Sequence, residues 1–293
     1  MPTIVDHREP VAVTRGPRFH FHGYYDKTPW DPSGRYIAAL ETEFMDRPPT
    51  ATDAATIGMI DTARDNTWTP IAPTRAWNWQ QGAMIHWLDP SAEPAFVHND
   101  TRDGRPVSVV RTLAGAEARE LPMPVYAVSK DGSQAVTLNF ARVHRTRPGY
   151  GHVAYDDAGV GALCPDTDGI WHMDMATGDA QLIITLAQVA GIAPMPNMAG
   201  AEHWFNHLLF NQDGSRFIFL HRWKLETGRW ETRLFTAAPD GSDVCLLADH
   251  EIVSHFDWRG SDRVLAWARH YDVGDRFFLY TDLSEQREVV GDG

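Results

Sequence analysis

Two cysteines, three lysines and no apolar run long enough to cross a bilayer are what this 293-residue chain has little of. Cys164 and Cys245 are too few for a disulfide framework and lack metal-site spacing, which excludes a small cross-linked domain and a cysteine-ligated zinc module. Lysine is confined to Lys27, Lys130 and Lys224, and acidic residues outnumber basic ones for a net charge of −13. A general nucleic-acid binder, whose affinity rests on neutralising phosphates, is therefore not expected. The start, Met1 to Pro10, shows no basic segment followed by an apolar one, so no membrane partner is expected and the compartment reads as cytoplasmic. Also missing are a Walker-type phosphate loop, a G-x-G-x-x-G turn, a G-x-S-x-G elbow and an H-E-x-x-H helix, which leaves nucleophilic-serine hydrolysis without support.

What is present is repetition. WDPSGRYIAAL (Trp30 to Leu40), WLDPSAEPAFV (Trp87 to Val97), VSKDGSQAVTL (Val128 to Leu138), FNQDGSRFIFL (Phe210 to Leu220) and WRGSDRVLAWA (Trp258 to Ala268) each run apolar, polar turn, apolar. Asp, Ser and Gly in the turn supply local hydrogen bonds and positive φ where a strand reverses. A second strand–turn–strand follows each, as in Ile57 to Ile71 and Ile170 to Ile184, so every repeat is a four-stranded unit. Five such units at a period of roughly 40 to 50 residues predict an all-β fold, a β-propeller with five recognisable blades.

The blades fall at roughly 20–75, 76–124, 125–190, 201–249 and 251–291 of a single domain covering 1–293, and 43% hydrophobic residues with 11 tryptophans suit its packing. Either five blades close the ring or the chain is an incomplete copy of a larger, seven-bladed propeller. Residues Pro10 to Thr14 are a candidate outer strand for the last blade, a device that removes an open edge. Helix is expected to be scarce, with Leu186 to Met198 a connector interrupted by Pro194 and Pro196.

The densest basic run, Arg142-Val143-His144-Arg145-Thr146-Arg147, followed by Tyr150, sits in a long insertion of the third repeat. Long loops on a rigid scaffold carry function, and guanidinium forks suit carboxylate, phosphate or sulfate. Arg142, Arg145, Arg147, His144 and Tyr150 are thus substrate-binding candidates for a small anionic ligand. Solvated arginines paired with surface carboxylates are the plainer alternative.

Fourteen histidines are many for this length. Counted back from the turns, His207 and His255 share a register with Lys27, which places all three on innermost strands facing one axial channel. His20, His22 and His203 lie further toward the strand entrances, and with Gln80, Gln81 and Asn206 they offer nitrogen and oxygen ligands suited to Mn, Fe, Ni or Zn. Tyr24 and Tyr25, beside Asp26 and Lys27, could exchange protons with nearby histidines.

The strings HGYYDKTPWDPSGRYIA, NWQQGAMIHWLD and EHWFNHLLFNQDGSRFIFLHRW resemble the blade openings of propeller proteins related to oligogalacturonate lyase. That resemblance implies a cytoplasmic seven-bladed enzyme that cleaves short uronate chains by β-elimination with a bound divalent metal. It implies His203, His207 and His255 as metal ligands, with Gln80 or Gln81 as an amide ligand; His22 stays a metal candidate from its own position. Lys27 or a neutral histidine would be the base, and Tyr24 or Tyr25 would protonate the leaving oxygen. The chain departs from the pattern in its five repeats, which leaves two readings: a metal-dependent lyase of small acidic saccharides, and a non-catalytic propeller that binds a protein or glycan.

Overall fold

A computed structural model describes residues 9–88 and 94–291. The turn of the second repeat, at residues 89–93, lies outside the described residues. The chain forms five four-stranded antiparallel sheets, each in sequence order from an inner to an outer strand. Blade one is β1 (Phe19–Phe21), β2 (Tyr36–Thr42), β3 (Ala55–Asp61) and β4 (Thr67–Thr74). Blade two is β5 (His86–Leu88), β6 (Ala95–Arg102), β7 (Arg105–Thr112) and β8 (Glu117–Leu121). Blade three is β9 (Ala127–Val128), β10 (Gln134–Thr137), β11 (Gly169–Asp174) and β12 (Ala180–Thr185). Blade four is β13 (His203–Phe210), β14 (Phe217–Lys224), β15 (Trp230–Ala237) and β16 (Cys245–Ala248). Blade five is β17 (Val253–Arg259), β18 (Arg263–His270), β19 (Gly274–Thr281) and β20 (Arg287–Val290). This is a five-bladed β-propeller.

The turns work as the residues predict. Asp213 Oδ1 accepts from the Ser215 N–H at 3.0 Å and Gly214 takes φ +73°, as Gly132 and Gly34 take +72° in the matching turns, a region that side chains disfavour. The core lies between blades. Ala38, Leu40, Ile57 and Met59 of blade one meet Ile85 and Phe96 of blade two. Val97 and Val110 continue through Val136 and Ile170 of blade three to Phe217 and Phe219 of blade four. Ile218, Leu220 and Leu234 meet Phe256, Val264 and Phe278 of blade five.

The last blade differs from expectation. Its fourth strand is its own β20, and residues 10–14 form no strand. Val13 instead packs against Ile37, Ala39 and Ile60, the small apolar cluster on the face of blade one turned away from blade two. An apolar side chain gains more from covering that face than from extending a sheet edge.

The insertion of blade three is not a plain loop. Asn139 caps a short helix, α1 (Phe140–Thr146), by accepting from the Arg142 N–H at 3.0 Å. A second helix, α2 (Leu186–Ala190), is capped by Thr185 and leads to a 3-10 turn at Pro196–Met198. Among the described residues no helix is long and apolar enough to cross a membrane.

Candidate functional site

His207 and His255 both occupy β-bulges on innermost strands, where the register of β13 shifts between Asn206 and Leu209 and that of β17 between Ser254 and Phe256. Both take positive φ, +55° and +47°, as does Met84 at φ +53° before blade two. Such a conformation is costly for a side-chain-bearing residue and marks a position the surrounding structure enforces. It turns the two imidazoles toward the axis.

There they border a cleft of about 500 Å³ lined by residues of every blade: Tyr24 from the first, Gln80 from the segment opening the second, Arg147 and Tyr150 from the insertion of the third, His207, Arg222 and Trp230 from the fourth, Ser254 and His255 from the fifth. Only the region around a common axis can gather side chains from all five. His207 stacks on Tyr24 with ring centres 5.2 Å apart and meets Tyr150 edge-on at 5.4 Å. The Arg147 guanidinium lies between the rings of Tyr150 and Trp230, 4.8 and 4.6 Å from their centres. Arg222 is buried, and its Nε donates to Thr232 Oγ1 at 3.2 Å. Among the described residues neither Arg147 nor Arg222 forms an ion pair with a carboxylate. Glu251, at the rim, is engaged by Arg269 and by the Tyr271 hydroxyl at 2.8 Å.

The electrostatics follow. Burial, with Arg147 adding like-charge repulsion, lowers the Arg222 guanidinium to about 10. Burial also holds the His207 imidazole well below the ordinary histidine value, and Arg222, Lys27 and Arg147 act in the same direction, so His207 is neutral at pH 7. The Tyr24 phenol is raised by burial and by Tyr150, and it keeps its proton. The cleft thus sets two cations that form no ion pair among the described residues beside a neutral imidazole and a protonated phenol.

The structure brings together only some of the residues singled out in the sequence. Tyr24, Arg147, Tyr150, His207 and His255 line the cleft. Lys27, expected on an innermost strand facing the channel, is instead in the bend after β1, which ends at Phe21, and does not line the cleft; its Nζ lies on Asp26 Oδ2 at 2.6 Å and 5.5 Å from the centre of the Tyr126 ring. Tyr25 is used in ring closure: its hydroxyl donates to the Phe256 carbonyl at 3.1 Å and accepts from the Phe256 N–H at 3.0 Å, and burial pushes the phenol up to about 12. Arg142 is not at the cleft. It donates to Asp168 at 2.9 Å and to the carbonyls of His203 and Ala162. Arg145 is likewise spent on Asp157 and Glu202. His144 is half-buried on α1, where burial lowers its pKa.

Of the metal candidates only His207 and His255 meet at the cleft. His203 has both ring nitrogens engaged, Nδ1 with His221 at 2.8 Å and Nε2 with the Met198 carbonyl at 3.3 Å. His22 Nδ1 donates to the Ala38 carbonyl at 2.9 Å, and Gln81 Nε2 donates to the Tyr126 hydroxyl at 2.6 Å. Among the described residues no three His, Cys, Asp or Glu side chains are grouped as ligands of an ion. The residues present therefore do not fit the divalent metal that the resemblance implies. The repeat and motif patterns do not mark Arg222, Trp230 or the buried Tyr126. A lone arginine within the apolar strand FIFLHRW was the available signal for Arg222, since a charge is buried only where something uses it.

Fold and site together define a five-bladed β-propeller whose axial cleft holds two arginines that form no ion pair with a carboxylate among the described residues. No protein-family model and no curated protein matches the chain. Among solved structures the chain is similar to an oligogalacturonate lyase from Vibrio parahaemolyticus, with TM-score 0.57 and 11% identity over 95% of this chain and 67% of the lyase. It is similar also to a puromycin-hydrolysing peptidase from Mycobacterium tuberculosis, with TM-score 0.50 and 11% identity over 91% of this chain and 39% of the peptidase. TolB from Acinetobacter baumannii matches at TM-score 0.49 and 11% identity, with 96% of this chain and 56% of TolB covered. The first two likenesses support the propeller fold, which hosts unrelated activities.

Proposed function

We propose that the axial cleft binds a small acidic saccharide and cleaves it by β-elimination next to a uronate carboxylate. The observation that carries this reading is the pair Arg147 and Arg222, two guanidiniums without a carboxylate partner facing neutral His207 and protonated Tyr24. The likeness of fold to an oligogalacturonate lyase supports the choice of a uronate over other anions.

The guanidiniums hold the substrate carboxylate and stabilise the enediolate that forms when the proton on the adjacent carbon leaves. A neutral histidine of the His207/His255 pair takes that proton. Electrons of the broken C–H bond form the new C=C bond, the C–O bond on the next carbon breaks, and the Tyr24 phenol protonates the leaving oxygen. The resulting tyrosinate recovers its proton from the imidazolium, directly or through water, so no oxidant or other co-reactant is needed.

Incubation with a panel of short uronate oligosaccharides, followed by the ultraviolet absorbance of the unsaturated product, tests the reading. Wild-type protein forms the product, and Arg222→Gln lowers kcat/KM on the order of a hundredfold or more, in the range of a lost oxyanion contact. Binding of uronates without any unsaturated product would leave a non-catalytic saccharide-binding propeller as the better reading. Product formation undiminished in Arg222→Gln would remove the cleft from the account.

A further inference from the structure

Behind the cleft the His207 main-chain N–H faces two oxygens, Asn206 Oδ1 at 2.9 Å and Tyr126 Oη at 3.0 Å. An amide nitrogen turned there would set two donors 2.9 Å apart, so the Asn206 amide has its carbonyl toward His207. Asn206 Oδ1 also lies 3.0 Å from Tyr126 Oη, so the phenol proton points to it. With that proton used, Gln81 must offer its Nε2 to the phenol oxygen, at 2.6 Å. The oxygen then accepts from Gln81 and from the His207 main chain, which occupies both lone pairs.

His207 Nδ1 sits 3.4 Å from the same oxygen. A proton on Nδ1 would point into a buried region at an acceptor already saturated, whereas a bare lone pair there meets the edge of a hydroxyl. An unsatisfied buried donor biases the tautomer by about tenfold or more. With Nδ1 turned to Tyr126, Nε2 is the nitrogen presented to the cleft.

We propose that Tyr126 locks His207 as the neutral tautomer protonated on Nε2, so that His207 donates a hydrogen bond to the developing oxyanion and His255 is the base that removes the proton. The division of labour rests on the lyase reading; the tautomer does not. His255 suits its part. It is the more exposed of the two rings, it borders the same cleft, and its Nδ1 lies 2.7 Å from Ser254 Oγ. When Nδ1–H donates to that hydroxyl, Nε2 carries the free lone pair that takes the proton. A neutral imidazole used as a donor rather than a base has precedent in enzymes whose histidine pKa is pushed down. Tyr126, which touches no substrate, is a positioning residue.

Two-bond proton–nitrogen correlation spectra of protein labelled with ¹⁵N-histidine at neutral pH distinguish the two neutral tautomers, and loss of one ring's signals in His207→Gln assigns His207. The expected wild-type pattern is protonation on Nε2, and in Tyr126→Phe the His207 signals shift toward a mixture. A pattern of protonation on Nδ1 in the wild type overturns the proposal, and this spectrum decides even if Tyr126→Phe does not fold. On a uronate that the wild type cleaves, His207→Gln, whose amide N–H replaces Nε2–H, keeps on the order of a tenth to a hundredth of kcat with little change in KM. His255→Gln, which has no base, loses turnover altogether. The reverse order would make His207 the base. Should the wild type cleave no uronate, the assignment of His255 as base falls with the lyase reading while the spectrum still tests the lock.

Discussion

Blades four and five, compared with blades five and one, show two ways of joining neighbours in one ring. Between four and five, buried Arg216 donates to Asp282 at 2.7 Å, and the Thr236 hydroxyl of blade four donates to the same carboxylate. Asn211 reaches the Ser261 carbonyl at 2.9 Å and Trp258 Nε1 the Leu209 carbonyl at 3.0 Å, over an apolar cluster shared by both sheets. Between five and one, the described hydrogen bonds are those of the Tyr25 hydroxyl to Phe256. On the free face of blade five, Trp267 packs edge-on against Phe277, which is 41% exposed. The difference teaches that the ring is pinned at its axis on the five–one side and packed through its depth on the four–five side. The cleft draws its cations from neither seam's ion pairs.

Asp282→Ala, which leaves Arg216 buried without its partner, is the largest expected effect on the four–five seam. It lowers the free energy of unfolding in urea by about 3–5 kcal/mol; a loss under about 1 kcal/mol would show that the ionic seam does not hold the blades. Acid comes next. His86 and His152 are lowered to about 3, and His98 to about 4, chiefly by burial. Folded pKa values below the unfolded 6.5 mean that the unfolded chain binds more protons, so the stability is intact above pH 6.5 and is lost as pH falls from 6.5 toward 3. Each such histidine contributes a slope of about 1.4 kcal/mol per pH unit, and a flat stability profile from pH 7 to 4 would contradict their burial as neutral groups.

Tyr25→Phe removes both hydrogen bonds across the five–one seam and costs about 1–2 kcal/mol, with faster amide exchange confined to the inner strands of blades five and one. Exchange that rises equally in blade three would mean that the seam is joined elsewhere. The smallest effect on stability belongs to Arg222→Gln. Removing a buried cation without a counter-ion leaves thermal stability unchanged or raised by up to about 1 kcal/mol, while the cleft loses its ligand. Substantial destabilisation would show that Arg222 holds the fold and not a ligand.

The turns made the blades legible, because Asp-Gly and its relatives fix strand reversals locally and the five copies repeat them. Register carried His207 and His255 to one cleft, since innermost strands converge on the axis whatever their sequence separation. The basic run was harder. Residues 140–146 wind into α1, so Arg142 and Arg145, three apart, share a face and turn to Asp168 and Asp157. Arg147 stands just past the helix end, free to reach Tyr150 and Trp230. Nothing in the residue types of that run separates these three arginines. Tyr126 was hidden for a similar reason: its role depends on three amide groups, from Gln81, Asn206 and the His207 main chain, that meet only when blades two, three and four are assembled.

Calorimetric titration of a short galacturonate oligosaccharide into wild type, Arg222→Gln and Arg145→Gln tests most directly whether the cleft is an anion site built by unpaired guanidiniums. The account predicts salt-sensitive binding by the wild type, at least tenfold weaker binding by Arg222→Gln, and nearly wild-type affinity in folded Arg145→Gln. Equal affinity in wild type and Arg222→Gln, or loss of binding through Arg145 instead, would contradict it.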